Sequence, residues 1–164
     1  MQEKIKIFIT GGTFDKEYNE LNGELHFNNS HMYKLLKLGR CRLDVDIETL
    51  MMVDSIEMSK TERNYIIQKC IEEPINHIVI THGTDTMVET ANMLANSIRN
   101  KTIILTGAMI PVKFGSSDGL FNMGGALSLI QALPYGIYIA MNGQVFNQKN
   151  VRKNKKLGIF EETK

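Results

Sequence analysis

The sequence predicts a three-layer α/β sandwich of the flavodoxin or Rossmann kind, with a mostly parallel sheet, helices on both faces and a single domain. Three observations carry this. Apolar, β-branched runs alternate with helical stripes along the chain. The run HIVIT (77–81) has almost no polar interruption, as expected of a strand covered on both faces. Glycines and hydroxyl-bearing residues collect just after these runs, where strands hand over to helices.

Taken in order, KIKIFIT (4–10) is rich in β-branched residues and ends at a Gly-Gly pair, so it is a strand. Residues 14–30 are polar and rich in Asn and Gly, a long surface loop with a hairpin turn around Leu21-Asn22-Gly23-Glu24. A short helix, HMYKLLKLG, closes at Gly39, and LDVDIETLMMV (43–53) is the second strand. Ser59 and Glu62 have capping-box spacing, and Ile67, Cys70 and Ile71 follow on one helical face before Pro74. HIVIT (77–81) is the third strand. Thr86 and Glu89 also fit a capping box, opening a helix with the stripe Met87, Ala91, Leu94, Ala95, Ile98. TIILTGA (102–108) is the fourth strand. The loop KFGSSDG leads to a helix carrying Met123, Leu127 and Ile130, with Asp118 as its cap, and GIYIAMN (136–142) is the fifth strand. The α/β domain is expected over 1–146. Residues 147–164, with Lys149, Arg152, Lys153, Lys155 and Lys156, are read as a basic C-terminal tail, solvated or docked on a partner.

Composition removes several classes of function. With 43% hydrophobic and 23% charged residues the chain is an ordinary globular one, and its net charge of +1 offers no electrostatic grip on nucleic acid or membrane. It shows no charged-then-apolar leader and no apolar run of membrane-spanning length. Cys41 and Cys70 lack ligand spacing and read as reduced thiols, which points to the cytoplasm. The ten methionines read as core filler.

In open parallel sheets ligands bind beyond the carboxyl ends of the strands. The polar clusters lie there: Thr10-Gly11-Gly12-Thr13, Asp54-Ser55, Thr81-His82-Gly83-Thr84-Asp85 and Gly107-Ala108-Met109. A threonine hydroxyl attacks only when a base or its surroundings activate it. Thr84, Asp85 and Lys101 are expected to form a hydrogen-bonded relay, and Gly11 and Gly12 to bring peptide N–H groups near a developing oxyanion. The fitting reaction is acyl transfer at an amide or ester. Each piece has a plainer reading: Gly-Gly turns are common, a lysine opening a strand is usually solvated, and His82 reads as a structural hydrogen-bonder because no second His or Cys stands at metal spacing. The Gly-Gly turn matches neither a P-loop nor a dinucleotide fingerprint.

TGGTF (10–14), Asp54-Ser55-Ile56-Glu57-Met58, THGTDTM (81–87), Lys101 before TGAM (106–109), SSDG (116–119) and MNGQVF (141–146) together resemble the bacterial-type L-asparaginase family, in order and over nearly the whole chain. The resemblance implies hydrolysis of the side-chain amide of asparagine, in some members glutamine, through a threonine acyl-enzyme and without cofactor or metal. By position Thr13 resembles the nucleophile, and Thr84, Asp85 and Lys101 the second threonine, the aspartate and the lysine. Tyr18 resembles the tyrosine of the mobile loop. Gly12, Ser55, Gly83, Asp85 and Ala108 resemble substrate contacts, with Ser55 on the α-carboxylate and Asp85 on the α-ammonium. Ile56 departs from the polar residue common after the serine. Family members also usually carry a second, smaller domain that helps complete a neighbouring subunit's site, so the chain resembles the N-terminal catalytic domain alone and is expected to form a dimer or tetramer. The alternative is a module that binds a small amino acid, or regulates through it, with little or no turnover for want of that domain.

Overall fold

The computed structural model describes residues 3–163 of the 164. One six-stranded sheet forms the centre, built from β1 (Ile5–Gly11), β4 (Val45–Val53), β5 (His77–Thr81), β6 (Thr102–Thr106), β7 (Gly136–Met141) and β8 (Gln144–Asn147), in the order β4-β1-β5-β6-β7-β8. The first five run parallel, and β8 returns antiparallel to β7. The doubly wound α/β class expected from the sequence is the fold observed.

Alternation along the strands explains why the runs are apolar throughout. Phe8, Ile78, Ile80, Ile103 and Leu105 face one layer, where α2 (Lys60–Glu72) and α3 (Met87–Ser97) supply Ile66, Cys70, Ala91 and Leu94. Ile5, Ile7, Ile9, Val79 and Ile104 face the other, against Met32 and Leu35 of α1 (Met32–Leu38) and Met123 and Leu127 of α4 (Gly119–Leu129). The Ser59–Glu62 capping box is present in both directions. The Thr86–Glu89 box is not: the Thr86 hydroxyl donates to the Ser55 carbonyl at 2.8 Å, and Glu89 pairs with Arg63 at 3.2 Å. Asp118 does not cap α4 with its side chain either. It accepts from the amides of Met109 and Ile110, holding the loop after β6.

Two ribbons lie outside the main sheet, the first where the sequence places a hairpin turn and the second where it places a tail. Within the 14–30 loop, β2 (Lys16–Asn19) and β3 (Glu24–Phe27) form an antiparallel hairpin. The basic segment beyond β8 is ordered as well: β9 (Val151–Asn154) and β10 (Ile159–Glu162) pair antiparallel, with Val151 and Phe160 buried in the α2/α3 layer. A buried aromatic on the last strand makes this hairpin part of the core rather than a solvated tail.

At the amino ends of the strands, Lys6 is buried with its ammonium 3.0 Å from Asp46, 3.0 Å from Glu48 and 3.4 Å from Glu73, while Lys69 reaches Glu48 at 2.6 Å. Three carboxylates make it possible for a central strand to carry a lysine at all. Lys6→Met is expected to cost about 1 to 3 kcal/mol at neutral pH. Lys6 holds the Asp46 carboxyl, and Lys69 the Glu48 carboxyl, below the usual range. A lowered folded value stabilises fully above the unfolded carboxylate pKa of about 4 and is lost as pH falls through the folded value. Urea melts should show the K6M deficit shrinking below about pH 4; a deficit undiminished at about pH 2.5 would refute the charge account.

Candidate active site

The parallel register brings the carboxyl ends of β1, β4 and β5 together: Ile9 pairs with Thr81 and Gly11 with Val53. Sheet order reverses at β1, so the crevice opens between the segments following β1 and β5. Gly12 has φ 73°, a left-handed conformation suited to glycine. A Cβ placed on Gly12 would lie 2.4 Å from the Gly83 nitrogen, and one on Gly83 would lie 2.4 Å from Ser55 Oγ. The two glycines therefore touch backbone to backbone, with Ser55 packed beneath Gly83. This contact sets the next residues, Thr13 and Thr84, on adjoining loops. Thr13 is partly exposed at the start of a 3-10 turn, Thr13–Asp15. Ser55 Oγ is buried and has no protein partner.

Thr84 and Asp85 share one lysine, and it is not Lys101. Lys153 Nζ, on β9, donates to Thr84 Oγ1 at 2.7 Å and to Asp85 Oδ1 at 2.9 Å, with its side chain only 12% exposed. Thr84 Oγ1 also lies 3.7 Å from the Met109 sulfur. Lys101 precedes β6 and so lies at the amino end of the sheet, roughly 15 Å along the strand direction from its carboxyl end. There its ammonium is taken up by the carbonyls of Glu73 (2.5 Å) and Ile75 (3.2 Å) and by Asn76 Oδ1 (3.5 Å), closing the C-terminus of α2. The expected relay of Thr84, Asp85 and Lys101 is corrected on this ground: polarity of a parallel strand keeps a residue at its start away from a site at its end. The signal for Lys153 was the alternation of Val151, Lys153 and Ile159-Phe160 about the turn at Gly158, a hairpin pattern concealed by the density of positive charge.

The remaining expected residues divide. Gly12, Gly83, Ser55 and Asp85 lie in the cluster. Ala108 is buried just past β6 in the α1/α4 layer. Tyr18 is not brought to Thr13: it is exposed on β2, with its hydroxyl beside the hairpin turn at Gly23. The β2–β3 hairpin is pinned at its base. The Asp15 carboxylate, fully buried, accepts from the Ser30 hydroxyl (2.9 Å) and the His31 amide (3.1 Å), and Glu17 reaches His31 Nε2 at 2.8 Å. Burial raises the Asp15 pKa against these bonds. Lys16 ion-pairs with Asp54, tying the hairpin to the turn that carries Ser55.

His82 is structural. Its Nδ1–H donates to the Gly83 carbonyl and its Nε2 pairs with the Thr90 hydroxyl, both at 2.8 Å, contacts that the neutral ring satisfies in full. Burial pushes its pKa down to about 4. Among the described residues no three His, Cys, Asp or Glu side chains gather in a set that could hold a metal ion, and no helix is long and apolar enough to cross a membrane.

With this geometry in place, comparison with known proteins is specific. A family model described as "Asparaginase, N-terminal" matches residues 4–160. The chain is 28% identical to an L-asparaginase of Thermococcus kodakarensis over 162 residues, which is 95% of this chain and 49% of that protein. It is 30% identical to a probable periplasmic L-asparaginase of Haemophilus influenzae over 169 residues, 91% of this chain and 46% of the other. The solved structure of the Thermococcus enzyme superposes with a TM-score of 0.82 at 29% identity, covering 97% of this chain and 51% of that one. A probable cytoplasmic L-asparaginase from Campylobacter jejuni gives 0.80 at 28% identity, covering 98% and 52%. The chain thus spans about half the length of the relatives it matches.

Two outcomes follow from the geometry. Gly12→Ala forces a side chain into a left-handed residue already in contact with Gly83, and should cost at least about 2 kcal/mol in a thermal melt. Gly124→Ala, in open space on α4, should instead stabilise by about 0.5 to 1 kcal/mol; equal behaviour of the two variants would refute the close contact. For His82, the unfolded state takes up the ring proton near pH 6.5 and the folded state only near 4, so stability falls as pH drops through that window. An NMR midpoint for His82 near 6.5 would contradict this.

Proposed function

The chain belongs to the asparaginase family, and from that premise we propose that it is an amidohydrolase that converts L-asparagine, and with a looser fit L-glutamine, to the acid and ammonia. The observation that carries the reading is the sharing of Lys153 between Thr84 and Asp85. A module that only bound an amino acid would have no use for a lysine hydrogen-bonded to a threonine hydroxyl and steadied by a carboxylate.

In the proposed sequence the Thr13 hydroxyl attacks the side-chain amide carbon, giving an ester to Thr13 and releasing ammonia. Water then cleaves the ester and restores the hydroxyl. Lys153 takes and returns protons through Thr84, and Asp85 stabilises the ammonium that forms on Lys153. Backbone N–H groups of the glycine-rich turns would face the developing oxyanion, where such donors contribute most because they are fixed in advance. Ser55 would take the substrate's α-carboxylate and Asp85 its α-ammonium. The β2–β3 hairpin would serve as the lid, with Leu21 at its fully exposed tip. The domain over 1–146 supplies the threonines, and the segment after it supplies the lysine. We also propose a dimer or tetramer in which a neighbouring copy closes over the strand ends, and a cytoplasmic location, where Cys41 and Cys70 stay as the free thiols observed.

Ammonia release from L-asparagine by the purified protein tests the reading. Thr13→Ala and Lys153→Met should each lower kcat by at least about 100-fold. Lys101→Met should leave turnover within about 3-fold of wild type while lowering stability by about 1 to 3 kcal/mol. Loss of turnover in K101M with K153M fully active would overturn the assignment of the lysine. Light scattering that shows a monomer at assay concentration would remove the oligomer from the proposal.

A further inference from the structure

Lys16 opens β2 three residues after Thr13, and its side chain is 17% exposed. Its ammonium is held from two sides: Asp54 Oδ2 accepts from it, and the ring of Phe27, its register partner on β3, lies 5.6 Å away. Asp54 directly precedes Ser55 and turns the chain there, its Oδ1 accepting from the Ile56 amide at 3.1 Å. Burial opposes the charge on Asp54, yet the bond from Lys16 keeps its carboxyl below the usual range. The hairpin therefore fixes a cation on the residue that directly precedes Ser55, whose buried Oγ has no protein partner. An ammonium is a complement for a carboxylate, and a carboxylate of the protein already sits on this one, one residue from an unpartnered hydroxyl.

We propose that Lys16 is a specificity-determining residue that recognises the free carboxylate of the substrate, with Asp54 occupying the place on its ammonium that the substrate's carboxylate takes. Exchange of one carboxylate for the other joins seating of the hairpin to recognition. The substrate class is then a small amide with a free carboxylate, rather than one blocked at that end. This rests on the amidohydrolase reading.

The test breaks the same ion pair from its two ends. Lys16→Met should raise KM for L-asparagine about 10- to 100-fold with kcat within about 3-fold, and should erase most of the preference over the diamide of L-aspartic acid, which lacks the α-carboxylate. Lys16→Arg should retain most of the preference. Asp54→Asn, which keeps the Ile56 contact and frees Lys16, should leave KM unchanged or lower it. Were the pair only a structural clasp, K16M and D54N would raise KM alike and the diamide preference would not move; that result overturns the proposal. Calorimetric binding of L-aspartate to the same three variants reads the same order without turnover. A wild-type protein that binds L-aspartate in that order yet releases no ammonia sinks the amidohydrolase reading and leaves Lys16 standing. Ammonia release with K16M and D54N behaving alike does the reverse, and a wild-type protein that neither turns over nor binds overturns both.

Discussion

Gly12 and Gly83 meet backbone to backbone beyond β1 and β5, over the side chain of Ser55, and neither has room for a further carbon. The approach depends on parallel pairing that lines up the carboxyl ends of β4, β1 and β5, and on a left-handed Gly12 that turns the chain before Thr13. From it follow the neighbouring placement of Thr13 and Thr84, the enclosure of Ser55, and the approach of the Lys153 ribbon to hydroxyls that already face it. Other groups keep the seam in shape: Thr86 holds the Ser55 carbonyl, Asn122 holds the Gly107 carbonyl at 2.9 Å, and neutral His82 bridges the Gly83 carbonyl to Thr90. Much of the polar density of THGTDTM is thus occupied in securing backbone, which leaves Thr84 and Asp85 facing Lys153.

Three lysines, two buried and one half-buried, show how little a residue type says without its place in the sheet. Lys6 is surrounded by carboxylates at the amino ends, Lys101 by the carbonyls that finish α2, and Lys153 by a hydroxyl and a carboxylate at the carboxyl ends. Each burial is compensated by polar partners, as it must be. Only the third set includes a group with nucleophile or relay chemistry. Carboxylates or carbonyls alone make an ammonium a structural fastener.

The legible parts of the fold were those with strong periodicity. Strands covered on both faces are continuous apolar runs, as β5 and β6 are, β1 is marked by its β-branched residues despite Lys6, and the glycine-rich turns behind them mark the crevice. The Ser59–Glu62 box was legible because both partners are local. Thr86–Glu89 misled because spacing cannot show that Ser55 and Arg63, distant in sequence, compete for the same side chains. The late ribbons were hidden for other reasons. Asn142-Gly143 is a strong hairpin signal, both residues having positive φ, but only four residues of β8 follow it. In β9 the alternation lies under a run of lysines, and charge outweighed pattern. Lys101 stands near a recognisable motif in sequence, whereas the site is assembled by strand direction.

Because β9 and β10 place Val151 and Phe160 in the core and Lys153 at the crevice, one short ribbon has both a mechanical and an electrostatic part. The central sheet has its hydrogen bonds without that ribbon, since β9 and β10 pair only with each other. Hydroxyl and carboxylate come from the segment after β5 and the amine from the ribbon, so the proposed chemistry joins two parts of the chain that share a core but no backbone ladder.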